Sequence, residues 1–186
     1  EIEGFLDAED PNSTLEALNK LGATITRDAN KIYLNKRKII FCNPAEDLNL
    51  GNSGTGARLL LGLISGLGLR SRIVGDNSLS NRPMARVIKP LLGMGAAIES
   101  KEEKLPITTS ACNLSDHYEY EMPLASAQVK SCLLLAALSS KNDIIITEPK
   151  VTRDHTERMI ELFGGNISYC NEEGLGQIKL KYRDLS

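Results

Sequence analysis

Apolar residues recur three and four apart in three separated stretches of the chain, and each stretch closes on glycine. The first runs Ser13–Ala23, with Leu15, Ala17, Leu18 and Leu21 before Gly22. The second runs Pro83–Ala96, with Met84, Val87, Ile88, Leu91 and Leu92 before Gly95. The third runs Asp154–Gly165, with Met159, Ile160, Leu162 and Phe163 before Gly164. That spacing predicts three amphipathic helices. Gly22, Gly95 and Gly164 are the residues expected to end them at positive φ. Ser13 with Glu16, and Asp154 with Glu157, have the spacing of a capping box. Pro83 suits a first helical turn, and Pro90 is expected to kink or tighten the second helix.

Two other segments are apolar all round: Thr55–Leu67 and Ser126–Ser139. A helix with so little polar face is a buried one. Both lead into β-like runs, Ser71–Val74 and Asp143–Thr147. Further strands are expected at Lys31–Ile40, Leu105–Thr109, Tyr118–Tyr120 and Gln177–Tyr182, with short ones around Asp47–Leu50 and Tyr118–Met122. The order therefore repeats about every seventy residues, as helix, strand, helix, strand, strand, with a short strand before it. The fold class expected is α/β of the α+β kind: repeated units with the helices buried and the sheets outside them. An ordinary two-layer α/β sandwich is the alternative.

The repeat begins out of phase. Ile2–Leu6 corresponds to Ser71–Val74 and Asp143–Thr147, yet no helix precedes it, and the last unit stops at Ser186. The expectation is one domain over residues 1–186, lacking its first helix.

Composition fits such a domain. The 186 residues are 41% hydrophobic and 25% charged, with no Trp, so the core must rest on aliphatic side chains. A net charge of −2 argues against a dedicated nucleic-acid partner. The longest apolar stretch, near Leu59–Leu69, is too short to span a bilayer, and no signal peptide is visible. Cys42, Cys112, Cys132 and Cys170 are widely spaced and form no metal-ligand pattern. Thiols without a pairing pattern point to the cytoplasm.

Three motifs carry candidate chemistry. Gly51-Asn52-Ser53-Gly54-Thr55-Gly56-Ala57-Arg58 is a glycine-rich turn opening a buried helix. It serves equally as an anion cradle at a helix N-terminus or as a tight strand-to-helix turn, and it matches neither the P-loop nor the dinucleotide fingerprint. Asn81-Arg82-Pro83-Met84 and Arg153-Asp154-His155-Thr156 put an arginine at equivalent helix starts. A pair of guanidinium forks at matched positions suits one anionic ligand, whereas either alone suits a surface or a local ion pair. Ala125-Ser126-Ala127-Gln128-Val129-Lys130-Ser131 opens the second buried helix. There Ser126 is a cap, and Gln128 offers a donor and an acceptor to a hydroxylated ligand. His117 and His155 are expected to be structural or exposed, and no serine, histidine and acid form a triad.

Taken together and in order, these segments, with Gly75-Asp76 and Thr152-Arg153-Asp154-His155-Thr156-Glu157, resemble the 3-phosphoshikimate 1-carboxyvinyltransferase (5-enolpyruvylshikimate-3-phosphate synthase) family along nearly the whole chain. The resemblance implies βαβαββ units with internal helices. It implies that Ser126, Ala127, Gln128 and Arg153 bind shikimate 3-phosphate. It places Gly54, Arg82 and Gln128 on phosphoenolpyruvate, with Asn52 and Thr55 supporting the turn. The implied reaction moves an enolpyruvyl group to the 5-hydroxyl of shikimate 3-phosphate. C3 of phosphoenolpyruvate is protonated, the hydroxyl attacks C2, and phosphate leaves. No metal or organic cofactor is implied. The parent enzyme is expected to be a cytoplasmic monomer, with glyphosate as an inhibitor and no membrane partner.

Two departures from the family pattern matter. Its early Lys-Ser pair and following arginine have no match here, and the second domain that supplies the catalytic Asp, Glu and Lys is absent. No catalytic residue is therefore assigned, and the chain alone is expected to be inactive. The rival readings are the related transferase acting on UDP-N-acetylglucosamine and a non-catalytic anion-binding repeat domain. The related transferase commonly carries a reactive cysteine near the position of Gly75-Asp76, where this chain has none.

Overall fold

The computed structural model describes residues 1–34, 39–172 and 175–183. The repeat is realised as three sheets. The first holds β1 (Ile2–Glu3), β2 (Ile25–Asp28) and β3 (Lys31–Leu34) in the order β1-β3-β2. The second holds β4 (Leu48–Asn49), β5 (Ser71–Val74), β6 (Ala97–Ser100) and β7 (Ile107–Ser110) in the order β4-β5-β7-β6. The third, β8 (His117–Glu121), β9 (Asp143–Glu148), β10 (Asn166–Glu172) and β11 (Leu175–Lys181), has the matching order β8-β9-β11-β10. In both four-stranded sheets the first pair is parallel and the remaining pairs are antiparallel. Each parallel pair is bridged by one of the apolar helices, α2 (Gly54–Gly66) or α5 (Ala127–Ser140). The sandwich alternative is excluded.

The other helices are α1 (Glu9–Lys20), α3 (Asn77–Ser80), α4 (Ala85–Gly93) and α6 (His155–Leu162). The glycines after α1, α4 and α6 take φ of 97°, 98° and 82° at Gly22, Gly95 and Gly164, as the spacing predicts. At Gly22 a Cβ would also lie 2.2 Å from the Ile40 carbonyl oxygen, so conformation and space both require glycine.

Helix starts differ from expectation. α1 begins four residues before Ser13, where Glu9, Asp10 and Pro11 suit a first turn. The Ser13 hydroxyl bonds back to the Asp10 carbonyl, and no capping box forms. At α6 the Asp154 carboxylate accepts from Arg158 instead of capping, and Glu157 turns inward to Lys130. Pro83 lies just outside α4, whose N-cap is Met84, and Pro90 sits inside that helix.

The first strand of each hairpin, β2, β6 and β10, escaped the sequence reading. β2, mostly exposed, and β6, mostly half-buried, are sheet-edge strands without clean apolar alternation. Of the strand expected over Lys31–Ile40, the part described as strand is Lys31–Leu34. Its positions 35–38 lie outside the described residues, as does Ser186.

The core centres on the contact between α2 and α5. α2 contains Gly54, Gly56, Gly62 and Gly66, a costly composition for a helix at about 1 kcal/mol per glycine relative to alanine. Close packing offsets that cost. Gly62 faces the Cys132 carbonyl and Gly66 faces the Ala136 carbonyl, so one turn of α2 lies directly against one turn of α5. Gly56 gives α1 the same access, with Thr14 Oγ1 beside it. Leu60, Leu61, Ile64, Leu133 and Leu134 fill the surroundings, all buried. Among the described residues, no helix is long and apolar enough to cross a membrane.

Candidate functional site

The turns after β4, β5 and β8 meet at the N-terminal ends of α2, α4 and α5. Ser53 caps α2, its hydroxyl accepting from Gly56 N at 3.2 Å. Ser126 caps α5 in the same way through Val129 N at 3.4 Å. Three helix starts in one place give a partly positive surface before any side chain is counted.

Arg58 ties the three together. It lies one turn into α2 and is only 7% exposed. Its Nη1 donates to the Gly54 carbonyl at 3.2 Å and to Gln128 Oε1 at 3.1 Å. Its Nη2 donates to the Pro83 carbonyl at 3.2 Å. Its Nε is buried and without a partner among the described residues. Burial lowers the pKa of this guanidinium, and the charges of Arg86 and Arg82 lower it further. The sequence reading included Arg58 in the glycine-turn motif but gave it no role. The signal was there: position i+4 from Gly54 places it on the same helix face as the turn.

Arg82 lies beside the same turn. Its Nη2 donates to Asn52 Oδ1, and Asn52 Nδ2 donates to Asp76 Oδ2 at 3.0 Å. Asp76 in turn accepts from Leu79 N at 2.7 Å, capping α3. Its carboxylate is thus engaged in holding the turn. Gln128 Nε2 donates to Thr55 Oγ1 at 2.9 Å. The structure therefore brings Asn52, Gly54, Thr55, Arg82, Ser126, Ala127 and Gln128 together. Arg58, Arg82 and Arg86 have no ion-pair partner among the described residues. The arginines that do are Arg27, Arg72 and Arg158.

Arg153 shares no hydrogen bond with this cluster among the described residues. It is exposed and makes no hydrogen bond or ion pair among the described residues. Its loop is fixed through its neighbour: Thr152 gives its N–H and hydroxyl to the two oxygens of Glu148, at 3.1 and 2.7 Å. Glu148 also accepts from Lys130 Nζ at 3.1 Å, and Lys130 reaches Glu157 at 2.6 Å. All three charged groups are buried. With Ser131 Oγ 2.7 Å from Thr156 Oγ1, this network joins the start of α6 to α5. The sequence reading missed it, although a lysine inside an otherwise apolar helix was a visible anomaly.

His117 and His155 are both exposed. Cys42, Cys112 and Cys132 are free thiols, and burial pushes Cys132 up to about 12. Among the described residues, no group of His, Cys, Asp and Glu could hold a metal ion.

Buried helices, outer sheets and an arginine-bearing junction of helix starts define the enolpyruvyl transferase class. Two solved structures of EPSP synthase from Acinetobacter baumannii share the fold. One superposes with a TM-score of 0.84 at 39% identity, over 96% of this chain and 40% of that one. The other gives 0.85 at 36% identity, over 98% and 42%. The family described as EPSP synthase (3-phosphoshikimate 1-carboxyvinyltransferase) matches residues 1–181, and the chain belongs to it. Curated relatives named 3-phosphoshikimate 1-carboxyvinyltransferase include one from a Nitratiruptor species, 45% identical over 90% of this chain. Another, from Leptospira interrogans serovar copenhageni, is 46% identical over 89%. The chain spans 39% of the length of each of these two relatives.

Proposed function

We propose that this chain supplies the anion-binding half of a site that transfers the enolpyruvyl group of phosphoenolpyruvate to the 5-hydroxyl of shikimate 3-phosphate. One observation carries the reading: the guanidinium of Arg82 lies beside that of Arg58 at the start of α2, 2.9 and 3.1 Å from where a Cβ on Gly54 would stand, and neither has an acidic counter-charge among the described residues. Clustered cations of that kind suit ligands bearing phosphate and carboxylate groups. Gly54, Arg82 and Gln128 form the phosphoenolpyruvate side, with Asn52 and Thr55 supporting the turn. Ser126, Ala127, Gln128 and Arg153 form the shikimate 3-phosphate side.

Proton transfer to C3 and from the attacking hydroxyl needs acid–base groups. The carboxylate that the described residues bring to the cluster, Asp76, is engaged by Asn52 and by the α3 cap. The acid–base groups are therefore assigned to residues outside this chain, and the chain alone turns over no substrate. The α3 loop carries no cysteine, which favours this reaction over transfer to UDP-N-acetylglucosamine. Cytoplasmic placement accords with the free thiols.

The test is a titration of both ligands against Arg82→Ala and Arg153→Ala in the full-length polypeptide. Arg82→Ala should weaken phosphoenolpyruvate about ten- to hundredfold, and Arg153→Ala should weaken shikimate 3-phosphate by as much, the effect of one lost charged hydrogen bond. Equal effects of both substitutions on both ligands contradict the assignment. Phosphate release by the 186-residue chain alone would show that its acid–base groups lie within it.

A further inference from the structure

The amide of Gln128 has a chemically fixed orientation. A guanidinium carries only donors, so the Gln128 atom 3.1 Å from Arg58 Nη1 must be the carbonyl oxygen. The amino group then faces Thr55 Oγ1 at 2.9 Å and the open side of the junction. Gln128 is part-buried and Thr55 exposed, so both reach a ligand, whereas Arg58 at 7% exposure does not.

We propose that Arg58 is a positioning residue that locks Gln128 as a hydrogen-bond donor toward the anionic ligand. The Gln128 amino group has two protons, and Thr55 accepts one of them. The Thr55 hydroxyl proton is then directed away from Gln128. Two donors thus stand side by side, Nε2–H of Gln128 and Oγ1–H of Thr55, both oriented through Arg58. A pair of donors fits two oxygens of one phosphate or carboxylate. Of the donor and acceptor expected of Gln128, the donor is the one this geometry turns toward the ligand, while one lone pair of the acceptor is taken by Arg58. The geometry of Arg58 agrees with a fixed role. Its three hydrogen bonds go to three segments of the site, and two of them end on backbone carbonyls, that of Gly54 and that of Pro83 beside Arg82. A buried cation without a carboxylate is an unfavourable element for stability alone.

The proposal rests on the phosphoenolpyruvate reading for its ligand half only. Its test is a double-mutant cycle in the full-length polypeptide, reading phosphoenolpyruvate affinity with Arg58→Met, Gln128→Leu and the pair. Gln128→Leu should weaken binding about ten- to hundredfold and Arg58→Met about tenfold, the range for lost hydrogen bonds to a charged ligand. The pair should be no weaker than Gln128→Leu alone, because Arg58 acts through Gln128. Fully additive losses overturn the proposal. Arg58→Lys keeps the charge without the fork. It should raise KM for the ligands that share Gln128 and raise neither further in the Gln128→Leu background, and a further rise there overturns the positioning role.

A second arm needs no ligand. Gln128→Glu gives the buried guanidinium a counter-charge and should raise the thermal unfolding temperature. A lowered temperature overturns the Arg58–Gln128 contact. A parent polypeptide that binds no phosphoenolpyruvate sinks the functional reading and the ligand half together, while the unfolding arm still decides the contact.

Discussion

A Cβ placed on Gly62 would lie 2.2 Å from the carbonyl oxygen of Cys132. The obstacle is backbone inside α5, not a side chain that can swing aside. Gly62→Ala must therefore separate the two central helices or distort one of them. Overpacking of ordinary cores costs about 1–3 kcal/mol, and a backbone obstacle puts this site at or beyond the top of that range. The midpoint of urea unfolding should fall accordingly. An unchanged midpoint would mean that α2 and α5 do not approach this closely.

Lys130 Nζ lies 2.6 Å from Glu157 Oε1 and 3.1 Å from Glu148 Oε1, with all three side chains buried. Lys130→Met leaves two buried carboxylates facing each other and should cost about 3–5 kcal/mol. Adding Glu157→Gln to that variant removes one charge and should recover part of the loss. Chemical denaturation of the two variants checks both statements. If the single substitution is neutral, the network contributes nothing to the attachment of α6.

Much of this architecture was legible because two periodicities and one residue type carried it. The 3.6-residue spacing gave α4, and the glycines that end α1, α4 and α6 fell where only positive φ lets the chain turn into the hairpin. Ser71–Val74 was bounded correctly because its ends are marked by polar residues and Gly75. The capping box of Asp154 and Glu157 failed because both side chains had stronger partners, Arg158 and Lys130, and that of Ser13 and Glu16 failed because α1 starts a turn earlier. In the candidate site, the motifs were visible as segments, but the contacts between them were not. Arg58 to Gln128 spans 70 positions, and no local pattern encodes such a contact.

Asp7 shows how a surface group is linked to pH. Its carboxyl is lowered from the ordinary 3.8 to about 2 by the hydrogen bond from Arg27, then by that from Asn12, then by the Arg27 charge. The folded value lies below the unfolded one. Its stabilising effect is thus complete above about pH 4 and is lost as pH falls through about 2. An NMR titration should find the Asp7 midpoint near that lower value, and Arg27→Ala should return it to the ordinary range. A midpoint already ordinary in the parent would mean that Arg27 does not hold the α1 entry.

Gly54 is where sterics and ligand choice meet. It is the first residue of α2 and does not have positive φ, so alanine meets no conformational barrier there. Its Cβ would lie 2.9 Å from Arg82 Nη1 and 3.1 Å from Arg58 Nη1. Arg58 is pinned by three hydrogen bonds, whereas among the described residues Arg82 is held through Asn52 alone, so Arg82 is the group that yields. Gly54→Ala should therefore fold normally, with the gain in helix propensity of up to about 1 kcal/mol balancing the contact. Ligands that use Arg82 should weaken. Phosphoenolpyruvate is the shorter, and a fewfold loss is expected, about what a moved but unbroken charged hydrogen bond costs. Glyphosate is longer and needs the space the methyl group takes, so its inhibition should weaken more, and the parent with Gly54 should be sensitive. Inhibition curves for the full-length polypeptide and for Gly54→Ala, each across a phosphoenolpyruvate titration, measure both effects. If both ligands weaken equally, Arg82 displacement alone explains the result, and the methyl group does not discriminate. A parent already insensitive with Gly54 in place would move control of the inhibitor to another residue.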